Sequence, residues 1–289
     1  MTAPPTAPPL PLPDALTSLR DRLAAAPLDL ATPEADAARR AARTISDQID
    51  DYLLPRLLDL GAPLLTVIGG STGAGKSTLV NSVVGAPVTT AGVLRPTTRA
   101  PVLVCAPADL PSFSGDRVLP GLARVTGSAG GPGTVQVVVQ DDLPAGLALL
   151  DAPDVDSVVE SNRELAGQLL AAADLWVFVT TASRYADAVP WDVLRTAQER
   201  GTALAVVLDR VPPEAAHEVA ADLAAMLERA GLAAARLFVI GERPLLEGRL
   251  PEDQVAPLRA WLHALAADQD ARAAVVRQTL TGALDSLEQ

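Results

Sequence analysis

From residue 62 onward, short aliphatic runs alternate with amphipathic segments, and this alternation is the strongest pattern in the chain. It predicts strands at 64–68, 101–106, 134–140, 147–150, 175–180, 204–208 and 237–240. These strands are continuous apolar runs, as expected of strands covered on both faces. Helix signals fall between them. Ser157-Val-Val-Glu160 reads as a capping box that opens one helix. Pro190 opens another, which Gly201 closes, and Pro213 and Gly231 bracket a third. Strand–helix alternation of this kind predicts an α/β domain with a mostly parallel sheet flanked by helices. The glycine-rich stretch 128–133 reads as a loop between strands.

The two ends follow a different pattern. Six of the first thirteen residues are proline, so 1–13 reads as a disordered tail. Helical signals then fill 14–61. Asp14 is a candidate N-cap, and Thr32 caps a second helix with Pro33 in its first turn. That second helix is expected to run to about Leu54, bend at Pro55 and end near Gly61. The segment 249–289 reads as one long helix from Glu252. Its apolar stripe runs through Val255, Leu258, Leu262 and Leu265, then Val276, Leu280, Leu284 and Leu287. The stripe needs a partner, and the N-terminal helices are the obvious one. The two ends are therefore expected to pack as a small helical unit outside a nucleotide domain at 62–248. No breaker precedes Gln289, so this helix is expected to continue beyond the chain.

Composition narrows the possible functions. Aromatic residues make up only 3% of a chain that is 49% hydrophobic, so the core must be aliphatic. A net charge of −12 disfavours general nucleic-acid binding. Cys105 is the only cysteine and lies in an apolar run, which fits a small buried hydrophobe and a reducing, cytoplasmic setting. No leader pattern is visible, and no apolar run reaches the ~18 residues a membrane span needs. Lysine and arginine total 23, yet the chain has a single lysine, Lys76.

That lysine stands where a phosphate-binding motif requires one. The strand at 64–68 leads into Gly69-Gly-Ser-Thr-Gly-Ala-Gly-Lys-Ser-Thr78, and Gly70 to Ser77 has the P-loop spacing. Gly70, Thr72, Gly73, Ala74 and Gly75 form a loop whose backbone N–H groups can turn inward onto phosphate oxygens. The helix that follows adds the positive end of its dipole. Lys76 can neutralise the β- and γ-phosphates, Ser77 can ligate Mg²⁺, and Thr78 lies beside them. Further along, Thr97-Thr98-Arg99 brings a loop threonine 22 residues past the lysine, counted to Thr98. The strand at 147–150 ends on Asp151, an acid placed to hold Mg²⁺ through water. The strand at 204–208 ends on Asp209-Arg210, where a base-reading loop belongs.

The order of these motifs resembles the translation-factor-like GTPases, in particular the Era-like and bacterial dynamin-like branches, over roughly 64–248. The resemblance implies a Ras-like G domain that binds GTP and GDP with Mg²⁺ and hydrolyses GTP as a conformational switch. It makes Lys76, Thr98 and Asp151 catalytic, with Ser77, Thr98 and Asp151 at the metal. It places Asp209 and Arg210 at the base, Arg210 stacking its stem as the family lysine does. It also implies a homodimer or a partner GTPase. Contact with the inner face of a membrane is expected only through a region outside this chain. Three positions depart from the family pattern. Asp154 of Asp151-Ala-Pro-Asp154 replaces the glycine of the third motif, and Val155 stands where Ras-like enzymes carry glutamine. Asp209-Arg-Val-Pro212 lacks the guanine-reading aspartate of the fourth motif.

Those departures leave two alternatives open: a nucleotide-holding scaffold that turns over slowly or not at all, and ATP in place of GTP. A P-loop kinase fits less well, since no arginine-rich lid is evident. The segment 180–191 gathers Arg184, Tyr185 and Trp191 in an aromatic-poor chain. It reads either as a contact surface, with an arginine reaching a phosphate across a dimer, or as a loop whose tryptophan packs on the sheet.

Overall fold

The computed structural model describes residues 10–27, 31–90, 100–127 and 130–288. The first nine residues of the proline-rich tail, and the loop holding Thr97 and Thr98, lie outside them. The chain opens with α1 (Leu12–Ala24) and α2 (Pro33–Gln48), then a π-helical turn (Ile49–Leu53) and α3 (Leu54–Leu58). Next come β1 (Leu64–Gly70), α4 (Lys76–Val84), β2 (Val102–Cys105), α5 (Leu110–Ser114), β3 (Ala123–Val125), β4 (Thr134–Val139) and β5 (Leu147–Asp151). After these, α6 (Glu160–Ala171), β6 (Leu175–Thr181), α7 (Ala188–Glu199), β7 (Ala203–Val211), α8 (Ala216–Arg229) and β8 (Arg236–Gly241) alternate. The described chain closes with α9 (Glu252–Ala267) and α10 (Gln269–Asp285).

The strands form one sheet in the order β3-β4-β2-β5-β1-β6-β7-β8. Every neighbouring pair is parallel except β2 and β5, which run antiparallel. β1, which feeds the glycine-rich loop, therefore lies in the interior with β5 and β6 on its flanks. Along β1, Leu65 and Val67 join the core on one face, and Leu64 and Ile68 join the core on the other. Leu169 of α6, Leu194 of α7 and Leu223 of α8 cover the first face. Leu79 of α4, Val255 and Leu258 of α9 and Val276 of α10 cover the second. Burial on both faces explains why β1, β2, β5 and β6 read as unbroken apolar runs. Cys105 is fully buried between neighbours, and burial pushes its thiol up to about 11, as expected of a packing residue.

Several boundaries differ from the sequence reading. α1 starts two residues before Asp14, at Leu12, with no side-chain cap, because proline suits a first helical turn. Thr32 does cap α2 by accepting the Ala35 N–H at 3.3 Å. The expected bend at Pro55 is taken up one turn earlier, by the π turn. Pro55 has no N–H and its ring would press on the carbonyl four residues back, and Leu54 reaches back to the Ile49 carbonyl instead. Ser157-Val-Val-Glu160 is not a capping box. α6 begins at Glu160 itself, and Ser157 Oγ accepts the Val159 N–H at 3.2 Å, one residue ahead of the helix. The three-residue β3, Ala-Arg-Val, carries too little apolar signal to be predicted.

The C-terminal segment is two helices. The Asp268 side chain accepts the N–H groups of Asp270 and Ala271 at 2.9 and 3.0 Å, which starts a new helix inside the apolar stripe. α9 lies on the sheet beside α4 and not outside the domain. α10 meets the N-terminal helices. Ala283, Leu280 and Leu284 pack with Leu16, Ile49, Tyr52 and Leu53, and Gln48 Nε2 donates to the Ala283 carbonyl at 2.9 Å.

Within this helical unit Asp51 is buried. Burial, with Asp47 and Asp50 nearby, pushes its carboxyl up to about 6 against the hydrogen bond from Gln168 Nε2 at 3.0 Å. A folded-state pKa above the unfolded value favours folding at low pH, and that advantage is lost as pH rises through about 6. Asp51→Asn is therefore expected to gain about 1–2 kcal/mol relative to the parent between pH 4 and pH 7.5, after allowance for solvent screening. Urea denaturation at the two pH values checks this, and a constant offset between parent and variant would exclude it.

Candidate functional site

The site begins at the end of β1, where Gly70 lies beside Val179 of β6. Gly70 has φ +147°, and a Cβ there would stand 2.1 Å from the Val179 carbonyl oxygen. No side chain fits, so the chain can leave the sheet at this point only through glycine. Ala74 N–H then donates to the Ser71 carbonyl at 3.1 Å and tightens the loop. Gly75 stands at the N-cap position of α4 with φ +94°, and a Cβ there would come within 2.8 Å of Asp209 Oδ2. Gly70, Thr72, Gly73, Ala74 and Gly75 thus form one loop, and Lys76, Ser77 and Thr78 make the first turn of α4.

Lys76 is buried at 6% exposure. Its ammonium donates to the Gly70 and Ser71 carbonyls at 3.0 and 3.1 Å and is paired with the Asp154 carboxylate. Ser77 Oγ donates to Asp151 Oδ2 at 2.6 Å. Asp151 ends β5 beside Ile68 of β1 and is completely buried. Burial holds its carboxyl above the usual range, against hydrogen bonds from Ser77 and Thr89 and the charge of Lys76. Its Oδ1 is buried with no hydrogen-bond partner among the described residues. An orphaned carboxylate oxygen next to a serine hydroxyl is an all-oxygen donor set suited to Mg²⁺. Ser77 and Asp151 are the residues that would hold such an ion.

Thr89 was not anticipated from the sequence. Its hydroxyl donates to the same Asp151 oxygen at 2.7 Å. Asn81 of α4 positions it, because Asn81 Oδ1 accepts the N–H groups of Val88 and Thr89 at 2.9 Å and Nδ2 donates to the Thr89 carbonyl at 2.8 Å. The available signal was a buried asparagine four residues before the glycine that ends the helix. Thr98, the expected switch threonine, lies outside the described residues.

A second unanticipated group closes the loop from above. Asp156 Oδ1 accepts the Thr72 N–H at 2.5 Å. Arg184, in the turn after β6, donates to Asp156 Oδ2 at 2.9 Å, to the Thr72 carbonyl at 2.9 Å and to Asp187 at 2.8 Å. Burial raises the Asp156 carboxyl, but Thr72 and Arg184 outweigh it and hold the group below the usual range. Trp191, from the same segment, packs against the core and donates to the Tyr185 carbonyl at 2.8 Å.

On the other side of the loop, a cavity of about 140 Å³ is lined by Gly75, Thr78, Asp209, Arg210, Glu242 and Leu250, among others. A register shift in β7 between Leu208 and Val211 turns this loop, and Arg210 takes φ +54°. Asp209 is buried, and burial raises its carboxyl. Glu242 is anchored by its N–H, which donates to the Val211 carbonyl at 2.9 Å. The structure thus brings together the expected loop residues, Asp151, Asp209 and Arg210 around one end of β1.

No protein-family model matches the chain, and no curated protein matches it. Solved structures do. One is an oligomerised bacterial dynamin pair described as a mechanism for long-range sensing and tethering of membranes; it is 12% identical with a TM-score of 0.52, covering 95% of this chain and 46% of the other. Era in complex with MgGDPNP and 16S ribosomal RNA nucleotides is 17% identical with a TM-score of 0.45, covering 69% and 57%. Toc33 from Arabidopsis thaliana with GDP and Mg²⁺ is 16% identical with a TM-score of 0.44, covering 80% and 92%. The chain spans about half the length of the first two. At these identities the likeness is one of fold, and the bacterial dynamin match carries it. The chain has the fold of a P-loop GTPase G domain, with helices at both ends. Among the described residues no helix is long and apolar enough to cross a membrane.

Proposed function

We propose that this chain is an Mg²⁺-dependent guanine-nucleotide-binding protein that hydrolyses GTP to GDP and phosphate and works as a conformational switch of the dynamin-like kind. The convergence of Lys76, Ser77 and the buried Asp151 at the end of β1 carries this reading. In it, the loop N–H groups and the start of α4 bind the β-phosphate. Lys76 meets charge that grows on the oxygens of the terminal phosphates during transfer. Ser77 and Asp151 would hold Mg²⁺, which supplies further neutralisation of that charge when bound. Thr98 would close over the γ-phosphate. Membrane association and dimer formation belong to this reading through its resemblance to dynamin-like proteins.

The base pocket supports guanine. Guanine presents two donors, N1–H and its amino group, along one edge, whereas adenine presents a donor beside an acceptor. Two carboxylates, Asp209 and Glu242, line the cavity next to Gly75, and the exposed Arg210 side chain, whose Nε lies 3.9 Å from Asp209 Oδ2, can lay its stem on a ring. Titration of the purified chain with GDP, GTP, ADP and ATP, with Mg²⁺ and with chelator, tests the proposal. Guanine nucleotides are expected to bind on the order of 10²-fold more tightly than adenine nucleotides, because a wrong base leaves the carboxylates unpaired. Equal affinity would remove the guanine preference from the reading, and tighter binding of adenine nucleotides would replace guanine by adenine.

A specific observation favours a second reading, a scaffold that holds nucleotide with slow turnover or none. Asp154 occupies the Lys76 ammonium, and the next residue is Val155, which cannot orient water. Release of phosphate from radiolabelled GTP separates the two readings.

A further inference from the structure

We infer that Asp154 is a specificity-determining residue that makes this chain prefer a nucleoside diphosphate to the corresponding triphosphate. The inference rests on the nucleotide-binding reading above but not on which base is bound.

Charge around the loop is already spent. The Lys76 ammonium is paired with Asp154. The three nitrogens of Arg184, a second cation that touches the loop, are engaged by Asp156, Asp187 and the Thr72 carbonyl. The Thr72 N–H, a donor that could face a phosphate, is taken by Asp156 at 2.5 Å. The segment from Asp154 to Asp156 is not loosely draped. Val155 N–H donates to the Gly70 carbonyl at 3.3 Å, and the Val155 side chain is buried. Two carboxylates are thus fixed over the outer half of the phosphate cradle, one on its ammonium and one on an N–H group.

The inner half is free of them. Among the described residues, the N–H groups of Gly73, Gly75, Lys76 and Ser77 have no carboxylate partner. A diphosphate needs mainly this inner half, where the loop turns into α4. A γ-phosphate needs the outer face of Lys76, where the Asp154 carboxylate stands. It must expel that carboxylate or bear its repulsion across a few ångströms. Expulsion is feasible, since the Asp154 side chain is 31% exposed and opens to solvent. The triphosphate is thus admitted at a cost the diphosphate does not meet.

The test compares the full chain with Asp154→Asn and Asp154→Gly. Affinities are measured for GDP and the non-hydrolysable triphosphate GMPPNP, and in parallel for ADP and AMPPNP. The asparagine keeps the shape and removes the charge, and the glycine removes the side chain altogether. The parent is expected to favour the diphosphate. Both variants should bind the triphosphate analogue roughly 10–100-fold more tightly, with diphosphate affinity changed less than about threefold. Equal gains for both ligands would mean that Asp154 repels phosphate in general, and unchanged affinities that it is displaced freely. Either result overturns the inference while leaving nucleotide binding intact. A parent chain that binds none of the four nucleotides overturns the functional reading and this inference with it.

Discussion

Lys76→Ala is expected to weaken nucleotide binding by roughly 30- to several thousand-fold while the fold survives. The lower and upper bounds follow from the ~2–5 kcal/mol lost when one partner of a buried, hydrogen-bonded charge pair is truncated. Lys76 is the only lysine of the chain, and Arg184 is already held by Asp156, Asp187 and the Thr72 carbonyl. The fold should survive for a separate reason. The Asp154 carboxylate that Lys76 now neutralises can turn to water, and the carbonyls of Gly70 and Ser71 lose one donor between them. Fluorescence titration with labelled GDP, next to thermal unfolding of parent and variant, separates the two effects. Wild-type affinity in the variant would remove Lys76 from the site, and a collapsed melting transition would show it to be structural.

The phosphate loop could be read in the sequence because its requirements are local. Gly70 is needed where β1 passes the Val179 carbonyl, Gly75 where the backbone turns left-handed, and Lys76 and Ser77 on the turn that follows. The central strands β1, β2, β5 and β6 could be read because burial on both faces leaves an apolar run whatever the partner strand, and β4 and β8 because their aliphatic runs persist although one face is only partly covered. Contacts that join distant segments could not be read. Thr89 meets Asp151 across 62 residues, Asp156 meets Thr72 across 84, and Arg184 meets Thr72 across 112. Each of these is a polar residue in a loop, where sequence alone gives no partner. Asp154 was legible as a departure from a glycine. Its attachment to Lys76 required the fold. The break at Asp268 was hidden differently. The apolar stripe continues past it, and periodicity reports the face of a helix better than its continuity.

Arg56→Ala is expected to cost about 3–5 kcal/mol of folding stability, far more than a surface arginine, because it strands a carboxylate in the core. Asp174 precedes β6 and is completely buried. Arg56 Nη2 is paired with its Oδ2, which also accepts the Leu65 N–H at 2.8 Å. The same guanidinium donates to the carbonyls of Ala62 and Pro63 at 3.0 and 3.2 Å. One side chain therefore ties α3 to the start of β1, six residues before the phosphate loop begins at Gly70. α10 reaches the same point from the other end of the chain, since Thr279 Oγ1 donates to the Asp174 carbonyl at 2.8 Å and accepts the Ala203 N–H at 3.1 Å. The helical unit is thus fastened to the sheet at a buried charge beside β1, in addition to its own apolar contacts. Without Arg56, burial favours the protonated acid in the folded state, so the deficit should shrink as pH falls from 7.5 towards 5. The double variant Arg56→Met with Asp174→Asn removes both charges and keeps an acceptor for Leu65, and should lose less than Arg56→Ala alone. Urea denaturation of the three proteins at both pH values measures this. A single variant within about 1 kcal/mol of the parent would mean that water reaches Asp174, and that the apolar cluster of α1, α3 and α10 alone holds the helices in place.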